Sequence, residues 1–398
     1  MKWYTCTPVP FKGDHTFFCR DSGAFCKAFQ QIGMESKAIM PLPVQEGDDP
    51  DLIRTDYANL EDPAWWKSLG IDGLVLYAWG MGKYTPIARA VHEAGIYLVV
   101  YMDSSGLFFP WQHWIPISGN MWVKDVFAYG KIMGTGCFLL RMLKNHTWNL
   151  TNQGRKKHFE QADIIAFPLP AAIKSVQNRQ WLYGESIVGK LSLIPNPISS
   201  TCRYSGEKSN TIIAVGRWDD LLYKRPYLLM EALKQTMPRA KHWKAEIYGN
   251  IPPFLREWHG KLPEDVRSRI HLVGYLPNTE LQKKYSTAKI SICTSRSEGT
   301  HVASAEALCG GASIVGPFLT PLLNCLQWYV SHDSGTLSPE DTPESLSEAL
   351  LEEICCWDEG KRDPKEISDY WCTQLHAVNS CRRIIAAYQA STGKTNHR

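Results

Sequence analysis

Short apolar runs rich in β-branched residues recur along this chain, each followed by a longer stretch with apolar residues at helical spacing. That alternation narrows the possible folds more than any other feature, because parallel strands need long crossovers and helices supply them. The first half predicts strands at 3–7, 37–40, 73–77, 96–101, 164–167 and 191–194, with helices at 23–32 and 86–94. A second series predicts strands at 211–215, 245–248, 270–273, 290–293 and 312–315, with helices at 226–235, 279–286 and 302–309. Between them, a Pro-Asn-Pro-Ile-Ser-Ser run and a polar stretch read as a linker. The expected fold is α/β, with two Rossmann-like doubly wound domains facing across a cleft: an N-terminal domain over 1–199, a linker over 200–210 and a second domain over 211–375. A last helix, expected over 364–390, leads into a segment, 376–398, that returns to the first domain.

Composition enters mainly by exclusion. Lys and Arg number 43 against 40 Asp and Glu, so the whole chain has no strong attraction for nucleic acid. Twelve cysteines are scattered over 398 residues without a CxxC pair, which fits buried thiols in a reducing compartment better than a disulfide framework or a structural metal. The first residues, Met-Lys-Trp-Tyr-Thr-Cys, carry no apolar core of signal-peptide length, and a cytoplasmic location is expected. The longest uncharged stretch, 104–123, contains Pro110, Pro116, Gln112, His113 and Asn120 and is not a bilayer-spanning helix.

The chemistry concentrates in two strand-to-helix connections of the second half. One runs Thr-Ser-Arg-Ser-Glu298-Gly299-Thr300-His301-Val302 into a helix that carries Glu306 and ends at Gly310-Gly311. A helix N-terminus at a sheet edge offers N–H donors to phosphate, and two glutamates eight residues apart can accept hydrogen bonds from separate hydroxyl-bearing parts of one extended ligand. The other connection holds Gly216-Arg217 and then Lys224-Arg225-Pro226, placing two cations where a diphosphate needs neutralising.

In order, Gly216-Arg217, Lys224, Gly274-Tyr275, Glu298 to Glu306 and Gly310-Gly311 resemble the nucleotide-sugar domain of GT-B glycosyltransferases, specifically glycosyltransferase family 4. The resemblance covers about 100 residues and implies transfer of a sugar from a nucleoside diphosphate donor of UDP or GDP type, with retention of configuration; with Arg217 and Lys224 supplying the neutralising charge and no acidic pair at a strand end, no metal is expected. The resemblance implies that Arg217 and Lys224 bind the diphosphate, Glu306 the ribose and Glu298 the transferred sugar. Backbone near Gly216 and at Thr300, His301 and Val302 would meet phosphate or sugar, and Tyr275 and Leu276 would border the base. No cofactor is called for beyond the donor, which is a substrate. Two positions depart from the family pattern: Arg225 stands where glycine is commoner, and Thr300-His301 replaces an aromatic-glycine pair.

The first half resembles the acceptor domain more loosely. Gly13, in Gly13-Asp14-His15, and Gly23 follow the first strand, where the family brings glycine backbone to the donor phosphates. Asp103 follows the strand predicted at 96–101 as a candidate catalytic residue, but Met102 precedes it where the family often has His. The loop Gly80-Met81-Gly82-Lys83-Tyr84-Thr85-Pro86 lacks the third glycine of a dinucleotide fingerprint; it reads as a ligand-facing loop with Thr85 as helix cap. Asp49-Pro50-Asp51 is formally D-x-D but sits in a turn with no apolar strand before it. Uncharged 104–123 holds Phe108, Phe109, Trp111, Trp114 and Trp122, and the segment 124–157 after it carries seven Lys or Arg against one Asp. Together, 104–157 suggests a buried core loop, an acceptor surface or peripheral membrane contact.

These features predict a glycosyltransferase acting on a glycan, lipid, protein or small-molecule acceptor. The alternatives are a non-catalytic nucleotide-sugar sensor or partner subunit, and a GT-B phosphorylase or epimerase.

Overall fold

The computed structural model describes residues 1–102, 122–123, 125–145, 148–296, 298–319 and 325–395, with backbone alone at 141–145, 148–153 and 394–395. Two compact units emerge: Met1–Ile194 together with Cys381–Arg398, and Pro195–Ser380.

The first unit holds a parallel sheet of seven strands: β1 (Trp3–Cys6), β2 (Ala38–Pro41), β3 (Leu52–Thr55), β4 (Gly73–Tyr77), β5 (Tyr97–Tyr101), β6 (Ile164–Phe167) and β7 (Leu191–Leu193), ordered 3-2-1-4-5-6-7. β1 and β4, at its middle, are buried at every position, as strands covered on both faces must be. Trp3 anchors the core, its ring centroid 5.4 Å from that of Phe29, 6.0 Å from Tyr97 and 5.5 Å from Tyr388. Tyr388 lies on the last helix, Ala377–Thr395, and its packing against Trp3 and Tyr97 explains why the end of the chain belongs to this unit.

The second unit repeats the plan with six parallel strands: β8 (Ser209–Arg217), β9 (Lys244–Asn250), β10 (Ile270–Gly274), β11 (Ala288–Ile292), β12 (Ser313–Pro317) and β13 (Gly335–Ser338), ordered 10-9-8-11-12-13. In each sheet the order reverses once, between β1 and β4 and between β8 and β11. Ligands of doubly wound folds bind beyond the carboxyl ends of the strands at such a reversal.

Several expectations need correction. The stretch read as a linker is packed into the second unit: Cys202 is buried, and the Lys208 ammonium donates to the carbonyls of Tyr285, Ala288 and Gly310 at 3.3, 2.7 and 2.7 Å. A lysine that satisfies helix-terminal carbonyls looks, in sequence, like any solvated charge. The last helix is two helices, Pro364–Leu375 and Ala377–Thr395, broken where His376 takes extended backbone at ψ 131°. Thr85 is not the cap but the first residue of helix Thr85–Glu93, and its hydroxyl donates to the Gly154 carbonyl at 3.4 Å.

Gly249 marks where β8 and β9 draw together at the end of the strands. Its φ is +108°, and a Cβ there would lie 2.0 Å from the Gly216 carbonyl oxygen, so a side chain must both strain the backbone and push the strands apart. Gly249→Ala is expected to cost about 1–3 kcal/mol of stability, read from the denaturant midpoint at unchanged m-value. A loss below about 0.5 kcal/mol contradicts this packing.

Candidate active site

Arg217 is the last residue of β8, and Glu298, Thr300 and His301 follow β11, so the two connections singled out by sequence flank the one reversal of the second sheet. Within them the Lys224 ammonium lies 2.5 Å from a Glu298 carboxylate oxygen, with side chains only 16% and 17% exposed. Arg217 is different: its guanidinium is 78% exposed and 3.8 Å from Asp220, a contact loose enough for it to turn toward an anion.

Burial works to raise the Glu298 carboxyl, but His301 and Lys224 beside it outweigh that and hold it below the usual glutamate value. His301 is the N-cap of helix Val302–Cys309: its Nδ1 accepts from the Ser304 backbone N–H at 3.3 Å and lies 2.7 Å from the Ser304 hydroxyl. Its own N–H donates to Cys325 Sγ at 3.2 Å. An imidazole in this role must keep Nδ1 unprotonated, and burial pushes its pKa down to about 4. The Thr300 hydroxyl oxygen beside it is buried without a hydrogen-bond partner among the described residues, as is Nη2 of Arg225. Two such groups at one sheet edge are what a polar ligand would satisfy.

Glu306 lies one turn into the helix and is buried. Asn278, the first residue of helix Asn278–Thr287, donates from Nδ2 to its carboxylate at 3.1 Å and is itself held by Gln282 at 2.7 Å. Exposed Tyr275 and half-buried Leu276 stand just before Asn278, after β10. Gly216 pairs in register with Gly249 on β9, and Val302 opens the helix.

Arg225 occupies left-handed backbone at φ +50°, which accounts for the glycine expected there. Its guanidinium is buried, donating from Nε to the Thr294 carbonyl at 2.6 Å and pairing with Asp341. It therefore fixes the loop, as does the Thr294 hydroxyl, which donates to the Lys224 carbonyl at 2.6 Å. Asn278, Thr294 and Asp341 escaped sequence reading. Only Asn278 carried a signal, three residues after the Gly274-Tyr275 pair.

In the first unit, Gly13 follows β1, and a Cβ on it would fall 2.1 Å from a Leu52 methyl carbon and 2.7 Å from an Asp48 oxygen. The Arg54 guanidinium clamps that carboxylate at 2.8 and 2.9 Å and holds it well below the usual range, at about 2. A side chain at position 13 would have to displace the Leu52 and Asp48 side-chain ends, whereas at Gly23 a Cβ would come within 2.5 Å of the Phe17 backbone carbonyl. Asp49 and Asp51 both bind the Lys27 ammonium, at 3.3 and 2.6 Å. Lys83 lies over the Tyr84 ring, 4.6 Å from its centroid. Buried Met102 fills the space beside Gly80, where a Cβ would meet its Cε at 2.3 Å. Asp103 and nearly all of 104–123 lie outside the described residues.

His301 has a counterpart in the first unit, His158, which is buried with both ring nitrogens unpartnered among the described residues. Burial, then the nearby Arg155, lowers its pKa to about 4. For both histidines the folded value is below the ordinary 6.5, so the unfolded chain takes up a proton first as pH falls. Their cost to stability is absent above about pH 6.5 and grows down to about pH 4, at most roughly 3 kcal/mol each. The unfolding midpoint should drop over that window, and His158→Asn with His301→Asn should flatten the drop. A midpoint independent of pH there would show that neither histidine is held neutral.

Residues 209–354 match the family model for glycosyl transferases group 1. Among curated proteins none shows significant sequence similarity. Among solved structures the chain resembles the apo lipopolysaccharide outer core galactosyltransferase WaaB, at TM-score 0.62 and 14% identity over 98% of this chain and 100% of that one. It also resembles the pneumococcal O-GlcNAc transferase GtfA in complex with UDP and GlcNAc, at TM-score 0.64 and 12% identity over 98% and 99%. A putative UDP-N-acetylglucosamine 2-epimerase from Listeria monocytogenes shares the fold as well, at TM-score 0.59 and 12% identity over 99% and 97%. One fold carries several chemistries, so likenesses at 12–14% identity show the fold alone. The chain has the GT-B fold of these solved structures, and residues 209–354 of its second unit match the family model for glycosyl transferases group 1.

Proposed function

We propose that this protein transfers a hexosyl or N-acetylhexosaminyl group, with retention of anomeric configuration, from a UDP or GDP sugar to a hydroxyl of a glycan, lipid, protein or small-molecule acceptor. The observation that carries this is the Lys224–Glu298 pair at the reversal of the second sheet, next to a buried Thr300 hydroxyl that has no hydrogen-bond partner among the described residues. In this reading Lys224 and Arg217 neutralise the diphosphate as its bond to the sugar breaks, and the backbone at Thr300 to Val302 adds the positive end of helix Val302–Cys309. Glu306 takes the ribose hydroxyls, Glu298 orients the sugar, and Tyr275 and Leu276 border the base. Gly216 lets the chain pass close to the phosphates. The leaving phosphate oxygen accepts the acceptor's proton, so no protein nucleophile is required, and Asp103 is left to position the acceptor.

With two cations already on the diphosphate, a hard divalent ion has no charge left to supply. Turnover measured as nucleoside diphosphate release should be equal within about twofold with and without added Mg²⁺ or Mn²⁺. Strict dependence on either ion contradicts the proposed phosphate site.

The location proposed is cytoplasmic, at a membrane surface. All twelve cysteines are free, which suits a reducing compartment. No helix among the described residues is long and apolar enough to cross a membrane. Helix Lys131–Asn145 exposes Ile132 (93%), Met133, Leu139 and Leu140, after exposed Phe127 and Tyr129, within the basic segment. Apolar side chains beside lysines suit an anionic lipid surface. Ile132→Ser with Leu140→Ser should reduce sedimentation with anionic vesicles by about tenfold while the unfolding midpoint stays put; unchanged sedimentation removes the membrane from the proposal.

A further inference from the structure

Away from the sheet edge, the second unit gathers three thiophilic side chains that the transfer reaction does not use. Cys309 ends helix Val302–Cys309, Cys372 lies on helix Pro364–Leu375, and His376 caps the latter. One ligand atom from each, a sulfur from both cysteines and a ring nitrogen of His376, all lie within 4.8 Å of one another. Cys372 and His376 are four residues apart at the end of one helix, which puts them on one face. Cys309 comes from a helix more than sixty residues earlier, so tertiary packing and not local sequence brings the set together.

The surroundings fit a site. Cys309 and His376 are buried, and Cys372 is half-exposed, which leaves a path from solvent. The Cys202 carbonyl oxygen lies 2.9 Å from Nε2 of His376 and orients the ring, as second-shell carbonyls do for metal-bound histidines. The Ser368 hydroxyl donates to the Cys309 carbonyl at 2.5 Å and lies 3.6 Å from Cys372 Sγ, tying the two helices at the same point. Cys202 turns its own thiol away, to the Glu306 carbonyl at 3.1 Å.

We propose that Cys309, Cys372 and His376 bind one thiophilic divalent cation, zinc above all, with a fourth position open to solvent. Two thiolates and an imidazole are a preferred zinc donor set, and closing distances of up to 4.8 Å to tetrahedral contacts takes only small side-chain movements. Binding releases the two thiol protons to solvent. The ion would clamp the helix bearing Glu306, one turn before Cys309, to the helix that leads toward the end of the chain.

The test uses the full chain, purified under reductant, stripped with chelator and titrated anaerobically with Co²⁺ and then Zn²⁺. The expected result is one equivalent of Co²⁺ giving a thiolate-to-metal charge-transfer band, displaced by Zn²⁺, with a raised unfolding midpoint. Cys372→Ser and Cys309→Ser should each weaken Zn²⁺ binding by about 10²-fold or more, and His376→Asn should weaken it while the band persists. Cys355→Ser with Cys356→Ser, on the surface, should change nothing. Cys372 is the least buried of the three, so its variant decides the matter if Cys309→Ser does not fold. Absence of the band in the unsubstituted chain, its survival in Cys372→Ser, or a Cys309–Cys372 disulfide in the anaerobic protein would each overturn the site.

Discussion

Lys224→Ala is expected to lower turnover by at least about 10²-fold, the usual cost of removing one preorganised donor from a developing oxyanion. The substitution also leaves the Glu298 carboxylate, 17% exposed, without its cation at 2.5 Å, and breaking such a pair from one side destabilises by a few kcal/mol. The two effects can be separated. Adding Glu298→Gln to Lys224→Ala removes the unpaired charge and should restore much of the unfolding midpoint, yet turnover should stay down. Arg217→Ala should slow turnover comparably with almost no change in midpoint, because that side chain is 78% exposed. Arg225→Ala should do the reverse, costing stability through Thr294 and Asp341 with a smaller loss of rate. If Arg225→Ala is the slowest of the three, the diphosphate lies elsewhere.

Glu306→Gln should weaken binding of a nucleoside diphosphate sugar by about 10- to 150-fold. A hydrogen bond to a charged group contributes roughly 1.5–3 kcal/mol, and the neutral amide keeps the shape but not the charge. The amide oxygen can still accept from Asn278, whose Nδ2 donates to the carboxylate at 3.1 Å and orients it. Asn278→Ala should therefore weaken donor binding too, by a smaller factor, since it orients the carboxylate without touching the ligand itself. Calorimetric titration with UDP and UDP sugars reads both. Equal affinity in Glu306→Gln and the unsubstituted chain would remove Glu306 from the ribose position.

The strands at the centre of each sheet were legible because they are mainly apolar, as β4 (Gly-Leu-Val-Leu-Tyr) and the Ile290 and Ile292 positions of β11 show. β3 and β13 were not: Leu-Ile-Arg-Thr and Gly-Thr-Leu-Ser are four residues each, and only pairing with β2 and β12 makes them strands. In the candidate site, residues that share a strand-to-helix connection could be grouped from spacing. What spacing could not show was contact between connections: Lys224 reaches Glu298 across 74 positions, and Asn278 reaches Glu306 across 28. Arg225 was legible only as a departure from a commoner glycine. Its left-handed backbone and its bond to the Thr294 carbonyl make it a brace, which depends on geometry the sequence does not carry.

The claim that the second unit holds a nucleoside diphosphate sugar at Lys224, Glu298 and Glu306 is tested most directly by thermal unfolding of the full chain against a panel of nucleotide sugars, alongside Lys224→Ala and Glu306→Gln. A donor at 100 times its dissociation constant adds about 2.7 kcal/mol, enough to move the midpoint by several degrees. The account predicts such a shift with at least one UDP or GDP sugar, reduced in both variants. No shift with any member of the panel, or an equal shift in all three proteins, would contradict it.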